Sequence, residues 1–252
     1  MNAMAIGVVV FACVFGGTLF GTYLSKKVAQ HLSADSKDVM KMALGIIGTL
    51  AALVLGLLLA SAQSSFDAKG NAINQISADL ILLDRTLARY GPETRDARDL
   101  LRYTVAADLR QVWPEEKLHV AKLETSEARA GLEAVDGRVR DLSPRTDAQR
   151  GLQSRALNII SEIGQERVLN LERVKTTIPI PFLVVLVLWF TIIFAGFSLL
   201  APRDALVMVV MLACALSVSA AIVLILDMDS PYQGVIRLSS APLHDALAHI
   251  GQ

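Results

Sequence analysis

The segment from Asp35 to Asp67 constrains the fold more than any other part of the sequence. Within it, residues 42–62 contain no ionisable side chain. Their number matches the roughly 20 apolar residues that a helix needs to cross a bilayer core of ~30 Å. A charged collar precedes them, made of Asp35, Lys37, Asp38 and Lys41. We therefore expect a transmembrane helix here.

Two sets of side chains on this helix suggest two roles. Small residues recur every four positions, so they share a face on which a second backbone can approach closely. They are Gly48, Ala52, Gly56, Ala60 and Ser64. Another face is apolar and would line a pore if the helix surrounded one; it consists of Ile47, Leu50, Val54, Leu57 and Ser61. The small-residue face has two interpretations, which are packing against another span of the same chain and packing against another subunit.

Three further segments have the composition of membrane spans, at residues 4–24, 178–200 and 205–226. The first carries glycines that would also allow close helix contact: Gly7, Gly16, Gly17 and Gly21. These segments predict two transmembrane helices in 1–66, a soluble helical domain in 67–176, two more transmembrane helices in 177–227, and a C-terminal tail in 228–252. Four spans would place both termini and the soluble insert on the same side.

Composition supports a membrane protein with a water-facing insert. Hydrophobic residues make up 53% of the chain and the mean hydropathy is +0.48. Most of the charged residues lie between Gln63 and Thr176, and the formal net charge is zero. Nucleic-acid binding needs a concentrated basic surface, so it is not expected, whereas membrane lipid is an expected partner.

Enzyme and metal signatures are missing from the sequence. Cys13 and Cys214 both fall in apolar segments, and the four histidines lack metal-binding spacing. The sequence contains no P-loop, nucleophile elbow or dinucleotide fingerprint, and none of the spans has an ionisable residue near its centre. We therefore expect no enzyme activity, no cofactor and no metal.

The second transmembrane helix is expected to continue into the insert. Apolar residues follow at steps of three and four, a heptad-like seam of Ile73, Ile76, Leu80, Leu83, Leu87 and Tyr90. Gly91 suits a helix C-terminus and Pro92 suits the start of the next helix. The seam could form intrachain core or an oligomer contact. Asp84 and Arg85 lie beside it, either as a buried ion pair or as surface charge.

Further helices are predicted at 92–112, at 115–142 and from Asp147 onward. Asp35 or Ser36 is the expected N-cap of the second transmembrane helix, and Asp147 that of the last insert helix. No segment shows a sustained alternation of apolar and polar residues with turn residues at its ends, as a β-strand would. The fold class is therefore all-α: a polytopic membrane protein with four transmembrane helices and a helical-bundle insert between the second and third.

Six charged residues lie at the expected edges of the membrane. Two of them, Asp227 and Asp229, either form a solvated helix end or have a partner, since a carboxylate at the bilayer edge is costly without water or a partner. The partner would be Arg203, Lys37 or Lys41, or the acids would form a cation-attracting ring if the protein is cyclic. The group comprises Asp35, Lys37, Asp38, Arg203, Asp227 and Asp229. Basic residues near the span ends are equally numerous on the two sides, with short loops slightly favouring an external insert.

Four segments carry a family resemblance: HLSADSKDVMKMALGIIGTLAALVLGLLLASAQSSFD, LLDRTLARYGPETRDARDLLR, PFLVVLVLWFTIIFAGFSLLAPRDA and LILDMDSPYQGVIRLSSAPLHDAL. They resemble a bacterial membrane family of unknown function that is described as bestrophin-like. True bestrophins are pentameric anion channels with two spans, a cytosolic helical insert, two more spans and a cytosolic tail, and their second span lines the pore.

The resemblance implies a homo-oligomeric, pentameric, ion-conducting protein of the bacterial inner membrane with a cytosolic insert. The alternative function is a non-conducting membrane scaffold or interaction protein whose helical insert docks a partner.

Overall fold

The computed structural model describes residues 3–28, 33–113, 131–175, 180–202, 204–229 and 237–251. Within these ranges the chain forms eight α-helices and no strand. They are α1 (Ala3–Val28), α2 (Ala34–Tyr90), α3 (Arg95–Val112), α4 (Leu132–Arg140), α5 (Asp147–Lys175), α6 (Ile180–Leu200), α7 (Ala205–Asp229) and α8 (Ala241–His249). Four of them, α1, α2, α6 and α7, are long and apolar enough to cross a membrane. The all-α, four-span prediction is confirmed.

The chain divides into two compact units. The membrane unit comprises Met1–Phe66 and Thr177–Ile236, and the helical unit comprises Asp67–Thr176 and Arg237–Gln252. Helix α2 belongs to the membrane unit up to Phe66 and to the helical unit from Asp67.

Glycines on α1 bring three helices of the membrane unit together. A β-carbon at Gly17 would lie 2.8 Å from the carbonyl oxygen of Thr191, and one at Gly21 would overlap the carbonyl oxygen of Ala195. Thus α1 and α6 touch backbone to backbone, as small residues allow in a membrane. The core they enclose consists of Val10, Val14, Ala51, Leu186, Ile193, Phe194, Ala215 and Ile222.

Hydroxyl groups join the same helices. Ser219 of α7 donates to the carbonyl oxygen of Gly7 in α1 at 2.7 Å. At the other end of α1, Ser198 of α6 donates to the carbonyl oxygen of Thr18 at 2.8 Å, and the hydroxyls of Thr22 and Ser198 lie 2.6 Å apart. In the hydrocarbon core of a bilayer there is no water to bond these hydroxyl groups, so their partners are protein atoms. The bonds therefore help to fix the position of α1 against α6 and α7.

Helix α2 runs unbroken through Gly70 and ends at Tyr90, as the sequence predicted. Gly91 follows with φ 137°, a conformation that side-chain-bearing residues rarely adopt. The predicted N-cap was wrong: the Ser33 hydroxyl, rather than Asp35 or Ser36, accepts the backbone N–H of Ser36 at 3.2 Å. A serine three residues before the donor satisfies one of the free amides of the first turn.

The heptad-like seam forms intrachain core in the helical unit. All six of its residues are buried, and so are apolar side chains on the helices that follow: Leu101, Val105, Leu109, Val135, Val139, Ile159 and Ile163. A 3-10 turn at Pro92–Thr94 precedes α3. Residues 115–130 of the predicted helix 115–142 lie outside the described residues, and the described remainder is α4.

The helical unit also contains the C-terminal residues 237–251. The indole of Trp113 donates to the carbonyl oxygen of Leu238 at 3.2 Å, and Ile250 is almost fully buried. The N-cap of α5 differs from the prediction, because the Thr146 hydroxyl rather than Asp147 accepts the N–H of Gln149 at 3.1 Å.

Asp84 is buried, but its cation is not the neighbour that the sequence suggested. Arg98 of α3 contacts both of its carboxylate oxygens, whereas Arg85 is exposed. Residues 84 and 85 point about 100° apart around a helix, so they could not share the buried side of the seam.

Candidate functional site

Helix α2 carries the least covered apolar surface of the membrane unit. Only 11% of its most apolar 18-residue segment is buried, compared with 22–28% of the corresponding segments of α1, α6 and α7. Its buried side is centred on Leu44, Ala51 and Ala62. Leu53 and Leu57 on the opposite side are 70% and 69% exposed. This outward face of α2, which lies opposite the buried side, is the candidate functional surface.

The five predicted pore-lining residues divide between two environments. Ile47 and Val54 are partly buried and pack against the core of the membrane unit. Leu50, Leu57 and Ser61 are exposed. At 100° per residue, these three lie within about 40° of one another, so they form one continuous strip along α2. Of the five predicted positions, these three are the exposed ones.

The small-residue stripe also lies away from the core. Ala52, Gly56, Ala60 and Ser64 are exposed and Gly48 is partly buried. Among the described residues, no atom beyond the local helix backbone comes within 4 Å of a β-carbon placed at Gly48 or Gly56. The close contacts that small residues permit are made by α1 instead, and at these two α2 positions another span of the same chain does not supply one.

The chemistry of the outward face is entirely apolar or hydroxylic. Large aliphatic side chains alternate with small ones, and the Thr49 hydroxyl donates a hydrogen bond to the carbonyl oxygen of Gly45 at 3.0 Å. No charge or base is present that could select an ion by direct coordination or transfer a proton. A pore lined by a surface of this kind can admit or exclude water according to the width of the pore.

The predicted membrane-edge charges have different surroundings. Asp35 is exposed in the first turn of α2, Lys37 is partly buried, and Asp38 forms an exposed ion pair with Lys41 at 3.0 Å. Such exposed pairs contribute little stability. Arg203 lies outside the described residues.

The last two edge charges are on α7. Asp227 is only 7% exposed and Asp229 is partly buried. The interpretation of Asp227 as a solvated helix end is therefore wrong, because a carboxylate this well covered is not solvated by bulk water.

Sequence reasoning missed one buried cation, Lys69 of α2, whose side chain is fully buried. Its position could have revealed it, because Lys69 precedes Ile73 by four residues and so extends the seam one step upstream. Within the described ranges, His, Cys, Asp and Glu side chains form no group that could hold a metal ion.

Comparisons with known proteins agree on one fold. A family model described as a Bestrophin-like domain matches residues 11–243. A mutant crystal structure of a bacterial bestrophin homolog from Klebsiella pneumoniae is 13% identical, with a TM-score of 0.72 over 99% of this chain and 97% of that one. A second mutant of that homolog is 14% identical, with a TM-score of 0.70 over 98% and 99%. No curated protein matches the chain.

Proposed function

Since the chain belongs to the bestrophin-like family, whose model covers residues 11–243, we propose that it is a homo-oligomeric channel-like protein that passes ions through a pore lined by α2. The bacterial inner membrane is its proposed location. The observation that carries the proposal is the outward face of α2, which is the least covered apolar surface in the membrane unit.

The two faces of α2 divide the work in this proposal. The strip of Leu50, Leu57 and Ser61 faces the axis, and the stripe that includes Gly48 and Gly56 receives a neighbouring subunit. Small residues favour a helix neighbour because they let two backbones approach, whereas lipid chains fit against leucine equally well. Ring closure then supplies the partner that the chain alone does not provide at Gly48 and Gly56.

The strip determines the kind of gate. Leucine side chains cannot replace an ion's hydration shell, so a narrow ring of Leu50 and Leu57 would stop ions by excluding water. Widening or polarising the ring would admit water and ions. Conduction would be passive, because residues 42–62 have no ionisable group that could couple ion flow to protonation.

The proposal is tested by ion flux into liposomes and by planar-bilayer recording under separate anion and cation gradients. We expect the double variant Leu50→Ser, Leu57→Ser to raise flux several-fold. The matched control is Val209→Ser, Leu216→Ser on α7, which has the same spacing of seven and side chains that are 60% and 53% exposed. This control should leave flux unchanged.

Two results would contradict the proposal. One is equal flux for the wild type and both double variants. The other is a monomer or an open-faced dimer in mild detergent, since neither can form a closed ring in which α2 lines the central axis. Either outcome favours the non-conducting scaffold, in which the helical unit docks a partner and the spans serve as an anchor.

A further inference from the structure

A pocket opens at one end of the membrane unit, between the end of α1 and the turn that joins α6 to α7. Its volume is about 350 Å³, within the range of roughly 300–1,000 Å³ that is usual for ligand sites. The lining is Thr18, Thr22, Lys26, Ser198, Ala201, Pro202, Asp204, Ala205, Val207, Met208 and Met211. All of these residues belong to the membrane unit.

The pocket has a charged end and an apolar end. Lys26 and Asp204 are exposed where α1 finishes and α7 begins. Met208 and Met211 lie one and two turns further along α7. From Lys26 back to Thr18 the rise of α1 is about 12 Å. This distance spans the step from the headgroup layer into the hydrocarbon of a bilayer.

The two charges do not neutralise each other. Neither Lys26 nor Asp204 forms an ion pair with any residue in the described part of the chain. The hydroxyls of Thr22 and Ser198 are already engaged with each other and with the carbonyl oxygen of Thr18. The lining therefore offers one cation and one anion beside apolar side chains, and the hydroxyl groups of Thr22 and Ser198 already have hydrogen-bond partners.

We propose that this pocket binds a zwitterionic phospholipid with a primary amine, of the phosphatidylethanolamine type. The ammonium of Lys26 pairs with the phosphate, and the carboxylate of Asp204 accepts hydrogen bonds from the lipid ammonium. Both are charge-assisted contacts, which are stronger than neutral hydrogen bonds. An acyl chain lies along Val207, Met208 and Met211, where flexible thioethers fit an irregular hydrocarbon surface.

Headgroup chemistry separates this ligand from other membrane lipids. Phosphatidylglycerol has the phosphate but no ammonium, so it would leave Asp204 facing a second negative charge. Phosphatidylcholine has a methylated ammonium without N–H donors, so Asp204 would lose its hydrogen bonds. Recognition of headgroups by basic pockets between transmembrane helices follows the same electrostatics. The proposal is independent of ion conduction and goes beyond it.

Native mass spectrometry of the full chain, titrated with the three lipids carrying identical acyl chains, tests the proposal. We expect phosphatidylethanolamine to bind about two- to fivefold more tightly than the other two, the range of an exposed charge pair. Lys26→Met should weaken all three lipids. Asp204→Asn keeps an acceptor oxygen but removes its charge, so it should reduce the preference for phosphatidylethanolamine over phosphatidylcholine.

Residues that do not line the pocket supply matched controls. Lys27 lies over the ring of Tyr23, 5.3 Å from its centroid, and does not line the pocket, so Lys27→Met should bind as the wild type does. Asp35→Asn is the control for Asp204→Asn. Ala205→Trp should fill the pocket and weaken every lipid, whereas Leu206→Trp, at a neighbouring residue that is 74% exposed, should not.

Three outcomes would overturn the proposal. They are equal affinity of the wild type for the three lipids, equal effects of the substitutions at Lys26 and Lys27, and equal effects of Ala205→Trp and Leu206→Trp. Circular dichroism of each variant confirms that the helices are formed, so that a loss of binding reports on the pocket.

Discussion

Asp84 of α2 and Arg98 of α3 form a bidentate ion pair inside the helical unit. Arg98 Nε lies 2.7 Å from Asp84 Oδ1, and Nη2 lies 2.9 Å from Oδ2. The carboxylate is 4% exposed and the guanidinium side chain 20%. The backbone N–H of Gly251 also donates to Oδ2, at 3.4 Å. A single carboxylate thus holds the first two helices of the unit and its C-terminal residues.

Removing this carboxylate should destabilise the helical unit. We expect Asp84→Ala to lower the free energy of unfolding by about 2–4 kcal/mol, because it removes both hydrogen bonds that the carboxylate accepts from a mostly buried guanidinium. Urea unfolding of the full chain in detergent measures this, with Trp189→Phe as the background so that Trp113 alone fluoresces.

Asp147→Ala is the control for that substitution. It removes the exposed pair with Arg150, in which the carboxylate is 95% exposed. The expected change is within about 0.5 kcal/mol. Equal effects at Asp84 and Asp147 would show that the buried pair contributes no more than a surface pair.

The pair should persist at alkaline pH. The hydrogen bond to Asp84 raises the pKa of Arg98 above its ordinary value, with burial opposing and the charge of Asp84 adding to the rise. A group whose pKa is raised in the folded state stabilises the fold fully below its unfolded pKa. It loses that contribution only as pH rises through the folded value. For an arginine, both values lie above the range in which the protein is studied.

Lysine at this position would behave differently. The ordinary pKa of lysine is about 10.4, so Arg98→Lys should lose its ion pair between about pH 9 and pH 12. We expect the stability gap between wild type and Arg98→Lys to widen over that range in the same unfolding assay. A gap independent of pH would contradict the assignment.

Close contact between α1 and α6 should make Gly21 intolerant of a side chain. A β-carbon there would overlap the Ala195 carbonyl oxygen, so Gly21→Ala must push the two helices apart. We expect a loss of about 1–3 kcal/mol, as for other overpacked sites. Thermal unfolding followed by circular dichroism in detergent provides the measurement.

Gly16 offers the comparison for that prediction. A β-carbon at Gly16 would meet no described atom within 4 Å beyond its own helix. Gly16→Ala should be neutral or stabilising by up to about 1 kcal/mol, since alanine favours helix. A similar loss at both positions would mean that helix contact is not the cause.

The hydrogen bond from Ser219 to the Gly7 carbonyl should contribute to the association of α7 with α1. We expect Ser219→Ala to cost about 0.6 kcal/mol and at most about 2 kcal/mol, the range for interhelical bonds in membranes. Ser217→Ala removes only a bond within α7, to the Ala213 carbonyl, and should not change the unfolding midpoint. If both variants unfold together with the wild type, the interhelical bond adds no stability.

Several parts of this structure follow from local pattern. The spacing of Ile73, Ile76, Leu80, Leu83 and Leu87 predicts one buried face, and all five are buried. The continuation of α2 through Gly70 to Tyr90 is also confirmed. In both cases the prediction needs only helix periodicity.

Other features depend on which element lies opposite. The partner of Asp84 sits on the next helix, and the residue that caps α2 is Ser33 because the helix begins one residue before the collar. The pore-lining and packing roles proposed for α2 remain predictions, because they concern contacts beyond a single chain.

Sequence by itself determined that this protein is all-helical, that it has four membrane-spanning helices, and that α2 extends from the apolar segment to Tyr90. Those properties depend on apolar length and on periodicity, which are written locally along the chain. Tertiary structure decided how the small residues are used. Gly17 and Gly48 have the same local signature, yet only Gly17 meets another backbone, because close packing depends on the helix that faces it.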